Sequence, residues 1–410
     1  MREMKDSGID WVGAVPSSWE IKRVKNIAKL RNGSDPKTEG TIPVYGSGSS
    51  SFKTCGEYKE GPTVLLGRKG ATLHIPSYIE GAYWNVDTAF DVVMRDDNSL
   101  RFFYYLATCF NYGYYLTDTA LPSMTQSDYG DMKVAIPEIS EQLAIAAYLD
   151  ARCTSIDEAV ARHRMAIDKL EEYRRAVITK TVTKGLDPDA PMKDSGYEWI
   201  GDIPRHWTIM KLGYFSSSVL GKMLDQRQET GINIHRYLSN KDVQWFLINV
   251  DNLSTTSFPE NSQLRYGLER GDILICEGGE VGRCAIWDED DSDVYFQKAL
   301  HRLRVRRDIA IPEFIAYQIH QKAFSNKFIE VRKGEATIAH LPGDQLRQLK
   351  FVLPSLDEQI DIVAYLDYQC AAVDDAIDRQ HRIIDKLEEY RRSLIHAAVT
   401  GRIDCTKETL

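Results

Sequence analysis

The chain has 410 residues, of which 43% are hydrophobic and 27% are charged, so it has room for two or more folded domains. Its net charge of −9 does not exclude a nucleic-acid partner, because segments 20–135 (13 basic, 13 acidic) and 208–352 (19 of each) are neutral and can still gather basic side chains on one face. No run approaches the ~18 apolar residues of a membrane-spanning helix, and the first ten residues lack the apolar core of a secretory signal.

The first predicted element is a short linker that occurs twice. Met4–Gly8 matches Met192–Gly196 residue for residue. A Trp-x-Gly-x-x-Pro-x-x-Trp pattern then follows from Trp11 and again from Trp199. Such self-similarity within one chain indicates a duplicated architecture.

Each linker is followed by a variable segment, 20–135 or 208–352. Both contain a short apolar run before a glycine-rich turn, at Val64–Leu66 and at Ile273–Ile275. Runs of this kind predict short buried strands. Because the two segments also end in similar apolar patterns, we predict one mixed fold in two versions that carry different surfaces.

The variable segments carry no motif for catalysis. Neither GxxxxGK[ST] nor GxGxxG occurs, and nothing matches a methyltransferase, a helicase or a metal-dependent nuclease. The seven cysteines include no CxxC pair, which predicts reduced thiols in a cytoplasmic protein rather than disulfides or a metal site. We therefore expect no catalytic residue, metal or cofactor on this chain, and a recognition surface in its glycine- and serine-rich loops.

A long helix is predicted after each variable segment. The nine residues Ile167–Arg175 recur unchanged as Ile384–Arg392, and the similarity extends without gaps over 136–184 and 353–401. A proline precedes each helix, and no proline or glycine interrupts it.

The ends of these helices follow from capping preferences. Ser140 and Asp357 are suitable N-cap residues, each followed by a glutamate that favours the positive end of the helix dipole. Gly185 and Gly401 predict the C-terminal ends. Each helix would then have roughly 40 residues and a length of about 60 Å.

A heptad pattern runs along both helices and predicts a coiled coil in which each helix packs against the other copy. The apolar seam positions are Leu149, Ile156, Val160, Ile167, Leu170, Val177, Leu366, Val373, Ile377, Ile384, Leu387 and Leu394. Four polar positions, His163, Arg174, Gln380 and Arg391, interrupt the seam. They either fix the register of the coiled coil or lie at its solvent-exposed edge.

Charged residues outside the seam are also identical between the copies. Recent duplication does not explain this well, because the intervening segments have diverged almost completely. Two identical surfaces instead suggest two copies of one partner, docked about a pseudo-twofold axis. The residues proposed for docking are Lys169, Glu172, Arg175, Lys386, Glu389 and Arg392.

Taken in order, these features resemble the specificity subunit (HsdS type) of Type I restriction–modification systems. The resemblance covers essentially the whole chain. It rests on the Pro-x-x-x-Glu-Gln segments from Pro137 and Pro354, the repeated Asp-Lys-Leu-Glu-Glu-Tyr-Arg-Arg, the tryptophan-containing linkers and the run Arg270–Ile275.

The resemblance implies an α+β fold in which two mixed α/β target recognition domains are separated by two long helices that form an antiparallel coiled coil, with a pseudo-twofold internal repeat. The predicted segments are linker 1–19, recognition domain 20–135, helix 136–187, linker 188–207, recognition domain 208–352 and helix 353–410.

The resemblance also implies partners. The chain would read a bipartite sequence in double-stranded DNA, one half-site per recognition domain. Two modification subunits carrying S-adenosylmethionine would dock on the helices, and two motor-nuclease subunits using ATP and Mg²⁺ would complete the complex.

Residues that contact DNA are expected on the glycine-flanked loops, with arginine on guanine, serine, threonine or glutamate on base edges, and lysine on phosphate. The candidates are Tyr45, Ser47, Ser49, Arg68, Lys69 and Thr72 in the first domain, and Glu277, Arg283, Lys298 and Arg302 in the second.

Other functions stay open. A methylation-only or Type IIB-like system would use a similar chain, and a coiled-coil scaffold with two protein-binding domains is a different class. An autonomous methyltransferase or nuclease would be active alone with its cofactor, which we do not expect.

Overall fold

The computed structural model describes residues 2–95, 97–114, 122–197, 200–223, 233–291, 293–325 and 340–407. Trp199 of the second linker lies outside the described residues. The chain divides into two compact units: unit 1 comprises Met1–Arg164 and His381–Leu410, and unit 2 comprises Met165–Gln380. Each unit therefore contains one predicted recognition domain and one segment of each long helix.

Unit 1 contains short strands in several small sheets. The strands are β1 (Met4–Asp6), β2 (Ala14–Pro16), β3 (Glu20–Arg23), β4 (Ala28–Asn32), β5 (Ile42–Tyr45), β6 (Ser51–Cys55), β7 (Lys59–Glu60), β8 (Thr63–Gly67), β9 (Ser77–Ile79), β10 (Ala82–Asn85), β11 (Ala89–Met94) and β12 (Lys133–Ile136). The helices of this half of the chain are α1 (Val24–Ile27), α2 (Leu100–Ala107), α3 (Gln126–Asp131) and the long α4 (Ile139–Lys184), with a 3-10 turn at Tyr112–Tyr114. Every residue of β8 is buried, as the apolar run predicted.

Two four-stranded sheets form the body of the domain in unit 1. One has the order β4-β11-β8-β9 with antiparallel neighbours. The other has the order β6-β5-β10-β7, in which β5 and β10 are parallel. Strand β12 pairs with β3, so the end of the domain returns to its beginning immediately before α4.

Unit 2 repeats these elements in the second half of the chain. Its strands are β13 (Met192–Asp194), β14 (Asp202–Pro204), β15 (Thr208–Lys211), β16 (Ser216–Leu220), β17 (Ile234–Leu238), β18 (Val243–Gln244), β19 (Leu247–Ile248), β20 (Ser254–Ser257), β21 (Ile273–Cys276), β22 (Cys284–Ile286), β23 (Val294–Phe296), β24 (Leu300–Val305) and β25 (Lys350–Leu353). The helices are α5 (Leu212–Phe215), α6 (Glu260–Tyr266), α7 (Pro312–Phe324), α8 (Gly343–Gln348) and the long α9 (Leu356–Val399).

The sheets of unit 2 correspond to those of unit 1, except that β7 has no counterpart among the described strands of unit 2. The order β16-β24-β21-β22 matches β4-β11-β8-β9, and β20-β17-β23 matches β6-β5-β10, including the parallel pair of β17 and β23. The hairpin β18–β19 and helix α6 have no counterpart among the described elements of unit 1. The prediction of one fold in two versions is confirmed.

The long helices are slightly longer than predicted, at 46 residues for α4 and 44 for α9. The predicted N-caps were wrong: Ser140 and Asp357 lie inside the first turn, and at α9 the hydroxyl of Ser355 accepts a hydrogen bond from the backbone N–H of Glu358 at 3.3 Å. The glycines at the C-terminal ends, Gly185 and Gly401, have φ values of 75° and 72°. Such left-handed backbone is easily adopted only by glycine.

Ion pairs within unit 1 show how its two long-helix segments are oriented. Arg391 on α9 pairs with Asp157 on α4 at 2.8 Å, and Glu388 pairs with Arg164 at 3.7 Å. Residue numbers rise along one helix as they fall along the other, so the segments are antiparallel. In unit 2, Arg174 of α4 pairs with Asp374 of α9.

The repeated Glu-Gln after each proline ties the start of a long helix to the rest of its unit. The indole N–H of Trp19 donates to Glu141 at 3.1 Å, and that of Trp207 donates to Glu358 at 2.9 Å. Both tryptophans are fully buried. The glutamate therefore has a structural role that the helix-dipole argument did not include.

The adjacent glutamine is buried and anchors the residue that immediately precedes an earlier helix of the same unit. Gln142 accepts from the backbone N–H of Ser99 at 2.8 Å and donates to the carbonyl of Pro137 at 2.9 Å. Gln359 accepts from the N–H of Ile311 at 2.9 Å. The glutamine thus connects the start of each long helix to the start of α2 or α7.

Among the described residues, no helix combines the length and the apolar character needed to cross a membrane. None of the seven cysteines, all of which lie in the described ranges, forms a disulfide.

Candidate nucleic-acid interface

The two glycine-flanked loops of the first domain, separated by about 20 residues in sequence, lie against each other. The hydroxyl of Ser47 donates to the carbonyl of Lys69, and the hydroxyl of Thr72 donates to the carbonyl of Ser47 at 2.6 Å. Gly48 and Gly70 have φ values of 135° and 112°. A side chain at either position would strain the backbone of the loop it belongs to.

We define loop cluster 1 as residues 45–50, 67–72 and 86–88. Ser49, Lys69 and Thr72 are exposed, whereas Tyr45 and Ser47 are partly buried. Three of the six candidates therefore present side chains to solvent, and Ser47 is chiefly a connection between loops.

Arg68 is partly buried at the first position of its turn. Its guanidinium donates to the backbone carbonyl of Asp87 at 3.3 Å and lies 6.0 Å from the ring centroid of Phe90. A long hydrogen bond to a backbone carbonyl and a cation–π contact hold the side chain weakly. Arg68 can therefore be redirected to a ligand at little cost.

We define loop cluster 2, in the second domain, as residues 238–242, 277–283 and 297–299. Lys298 is exposed and Glu277 is partly buried. Arg283 is 16% exposed; it donates to the carbonyl of Asn240 at 2.7 Å and pairs with Glu280 at 3.3 Å. These contacts hold Arg283 within the loop cluster.

Arg302 must be removed from the DNA-contacting candidates. It lies within β24, is 7% exposed, and donates to the carbonyl of Gly267. Its guanidinium also lies 5.9 Å from the ring centroid of Phe296. The sequence prediction was wrong here because β24 is covered on both faces, so that His301, Arg302 and Leu303 are all buried.

The two loop clusters share one backbone framework. The N–H of Arg68 donates to Thr88 at 2.7 Å, as the N–H of Glu277 donates to Ala299 at 2.9 Å. The carbonyl of Arg68 accepts from Met124 at 2.9 Å, and that of Glu277 from Leu341 at the same distance.

A side chain links the loops at the same place in both clusters. Where Ser47 reaches the carbonyl of Lys69, the amide of Asn240 reaches the carbonyl of Gly278 at 2.8 Å. Lys69 forms a β-bridge with Ser123, and Gly278 forms one with His340. Asn240 and His340 are functional candidates that the sequence analysis missed. Neither residue stands out in the sequence, because its matched position is recognisable only when the structures of the two domains are compared.

Electrostatics around loop cluster 2 centre on a buried histidine. The Nε2–H of His301 donates to the carbonyl oxygen of Leu341 at 2.8 Å, since that oxygen can only accept. Burial lowers the pKa of His301, while that hydrogen bond and the charge of Glu277 act to raise it. The imidazole is therefore neutral near pH 7.

The described residues contain no cluster of histidine, cysteine and acidic side chains that could hold a metal ion. What the loop clusters offer is a set of hydroxyl, ammonium, guanidinium and carboxylate groups on rigid turns. Such groups match the donors and acceptors of base edges and phosphates.

Every apolar residue of the predicted seam is buried or partly buried. Of the polar seam residues, Arg174 and Arg391 retain 25% and 35% side-chain exposure and pair with Asp374 and Asp157 of the facing helix. They lie at the edge of the seam and still connect the two helices, so each of the two alternatives describes them in part. His163 and Gln380 are half-buried.

The residues proposed for docking are mostly exposed. Lys169, Glu172, Lys386, Glu389 and Arg392 are exposed.

The two matched arginines of the docking set differ in their surroundings. Arg175 is half-buried, pairs with Glu171 at 3.9 Å and lies 5.4 Å from the ring centroid of Phe324. Arg392 lines a groove of about 880 Å³ beside His74 and Tyr104.

Comparison with known proteins identifies the family. Residues 16–159 and 204–389 match the family described as Type I restriction modification DNA specificity domain. The Type I restriction enzyme MjaVIII specificity subunit of Methanocaldococcus jannaschii is 22% identical over 303 residues, covering 70% of this chain and 65% of that protein.

Two further comparisons cover more of the chain. The Type I restriction enzyme EcoBI specificity subunit of Escherichia coli is 23% identical, covering 98% of this chain and 90% of that protein. A solved chain from work on the complex assembly and conformational transition of the type I R-M system has a TM-score of 0.70 at 18% identity, covering 95% of this chain and 99% of its own. The fold is therefore shared, whereas the chain spans about two-thirds of the Methanocaldococcus relative.

Proposed function

Because the chain belongs to the Type I restriction–modification DNA specificity family, we propose that it recognises a bipartite DNA sequence and positions catalytic partner subunits on it. The chain itself contributes recognition and no catalytic step. Each unit would read one half-site, through loop cluster 1 or loop cluster 2.

One observation carries this proposal: the two loop clusters have the same backbone framework and different side chains. Ser47 and Asn240 occupy matched positions, as do Lys69 and Gly278. A shared frame presents its loops in the same way to a ligand, while different side chains select different base edges. This is the arrangement that two unlike half-sites of one target require.

The long helices supply the spacing between half-sites in this proposal. At 1.5 Å per residue, the 46 residues of α4 extend over about 69 Å. A stiff element of fixed length makes the separation of half-sites a geometric property of the protein.

The partners follow from the same proposal. Two modification subunits that carry S-adenosylmethionine would dock on the repeated charged residues of α4 and α9, and two motor-nuclease subunits using ATP and Mg²⁺ would join them. The docking residues proposed are Lys169, Glu172, Arg175, Lys386, Glu389 and Arg392.

The proposed DNA contacts divide by chemistry. Arg68 and Glu277 would face base edges, Ser49 and Thr72 would add hydroxyl contacts, and Lys69 and Lys298 would contact phosphate. Ser47 and Arg283 would hold the loops in place through their hydrogen bonds to the carbonyls of Lys69 and Asn240, and Tyr45 stays a predicted DNA contact.

The test is to express the chain with its cognate modification subunit and to map methylated bases across the host genome by sequencing. We expect methylation at one bipartite motif with a fixed spacer, and none when the modification subunit is expressed alone. A contiguous motif, or no motif dependent on this chain, would contradict the proposal. A filter-binding assay with the same complex separates it from a protein scaffold, because DNA binding that neutralises phosphates weakens steeply with salt.

A further inference from the structure

The matched positions of the two loop clusters carry opposite charges. Arg68 and Glu277 occupy the first position of the glycine-rich turn, as their backbone hydrogen bonds to Thr88 and Ala299 establish.

The residues that immediately precede Thr88 and Ala299 also carry opposite charges. Asp87 precedes Thr88, and Lys298 precedes Ala299. Both are exposed. Loop cluster 1 therefore has a cation at the turn and an anion beside it, whereas loop cluster 2 has an anion at the turn and a cation beside it.

The match extends to the glycines that pack behind these residues. A Cβ on Gly33 would lie 2.1 Å from the carbonyl oxygen of Val86, and one on Gly221 would lie 2.2 Å from that of Gln297. Val86 and Gln297 immediately precede Asp87 and Lys298. The backbone contacts on both sides of the exchanged pair therefore correspond in the two clusters, so the opposite charges lie at matched positions of one framework.

The buried ring beneath the turn changes together with the charge. Arg68 lies over the ring of Phe90, and the residue at the matched position of β24 is His301. The face of a phenyl ring attracts a cation, which suits Arg68. The N–H of His301 is instead used by the carbonyl of Leu341, so the ring beneath Glu277 offers no cation–π contact and the two domains differ at this buried position as well.

We propose that Arg68 and Glu277 are matched specificity-determining residues, which read opposite base edges at the equivalent position of the two half-sites. Arg68 offers donors and selects guanine, whose O6 and N7 are acceptors. Glu277 offers acceptors and selects cytosine, whose N4 amino group is a donor. Phe90, whose ring lies under the guanidinium of Arg68, acts as a positioning residue. This inference rests on the proposed function and adds to it the identity of one base in each half-site.

The experiment uses the full chain with its cognate modification subunit, and maps methylated motifs after Arg68→Glu and, separately, Glu277→Arg. We expect Arg68→Glu to change one position of one half-site from guanine to cytosine, with roughly ten-fold or greater change in selectivity there. Glu277→Arg should produce the reverse change in the other half-site. The untouched half-site and the spacer should stay the same in each case.

Two further variants control for folding and for general charge effects. Lys133→Glu reverses an exposed charge on β12, in a sheet that contains no loop-cluster residue, and should leave the motif unchanged. Arg68→Gln removes the charge with little change of size, and should relax discrimination at the same single position.

The outcomes separate the inference from the proposed function. A uniform decrease in methylation with an unchanged motif would assign Arg68 to a phosphate contact and overturn the inference. If Arg68→Glu fails to fold, Arg68→Gln decides, and an unchanged motif in that variant would overturn the inference as well. If the wild-type complex gives no bipartite motif, the proposed function itself fails.

Discussion

Replacing the buried glutamine at the start of a long helix is expected to destabilise the unit that contains it. Gln142 is 2% exposed and makes three hydrogen bonds: to the N–H of Ser99, to the carbonyl of Pro137 and to the side chain of Asn98 at 2.8, 2.9 and 3.1 Å. Methionine has a similar length, so Gln142→Met removes the hydrogen bonds and creates little cavity.

The magnitude follows from what is left unpaired. Each lost hydrogen bond contributes about 0.5–1.5 kcal/mol, and a buried backbone group without a partner costs about 1–3 kcal/mol. Since the groups of Ser99 and Pro137 are buried beside the helix start, we expect a loss of roughly 2–4 kcal/mol in the free energy of unfolding of unit 1.

Urea denaturation followed by tryptophan fluorescence measures this loss, because Trp19 lies at the same helix start. Ser140→Ala is the matched control: the side chain is exposed inside the first turn, so a change within about 0.5 kcal/mol is expected. If Gln142→Met changed the free energy by less than 1 kcal/mol, or if Ser140→Ala had the larger effect, the anchoring role of the glutamine would be refuted.

Three further predictions follow from the same structure. Arg302→Met should leave the methylated motif unchanged, because the guanidinium is buried against Gly267; loss of discrimination at one base would contradict this. His320, whose pKa burial and the nearby Arg174 and Arg175 lower to about 3, stays neutral in the fold, so unit 2 should lose stability as the pH falls below the ordinary histidine value. We expect about 2 kcal/mol between pH 7 and pH 5, measured by urea denaturation, and a flatter profile in His320→Phe. Deleting four residues from one long helix shortens it by about 6 Å, near two base-pair steps, and should change only the spacer in methylation mapping; an unchanged spacer would contradict the proposal that helix length sets the separation of the half-sites.

The architecture was predictable because duplication places the same local signals twice. The apolar runs before the glycine turns became the buried strands β8 and β21, and Gly185 and Gly401 ended the helices as expected. These features depend on short-range physics: side-chain burial in a strand and left-handed backbone at a helix end.

The candidate site was less predictable because it depends on contacts between distant segments. From the sequence, Arg302 was predicted to be an exposed residue that contacts a DNA base. Only the pairing of β24 with β16 and β21 shows that its side chain is buried. Asn240 was missed for the opposite reason, since its role is defined by a hydrogen bond to Gly278, 38 residues further along the chain.

Some residues are identical between the two repeats because of packing within this chain, and only the others require a docking partner as an explanation. Within the nine-residue repeat, Ile167, Leu170 and Arg174 and their counterparts lie in the seam, where packing and interhelical ion pairs account for their identity.

The repeated tyrosine is not explained in this way, because Tyr173 and Tyr390 are 50% and 56% exposed. Large aromatic side chains left half-exposed at matched positions are typical of protein interfaces, where they combine apolar area with a polar tip. Together with the exposed Lys169 and Glu172, Tyr173 narrows the proposed docking surface to one exposed side of each helix, outside the seam residues whose identity packing already accounts for.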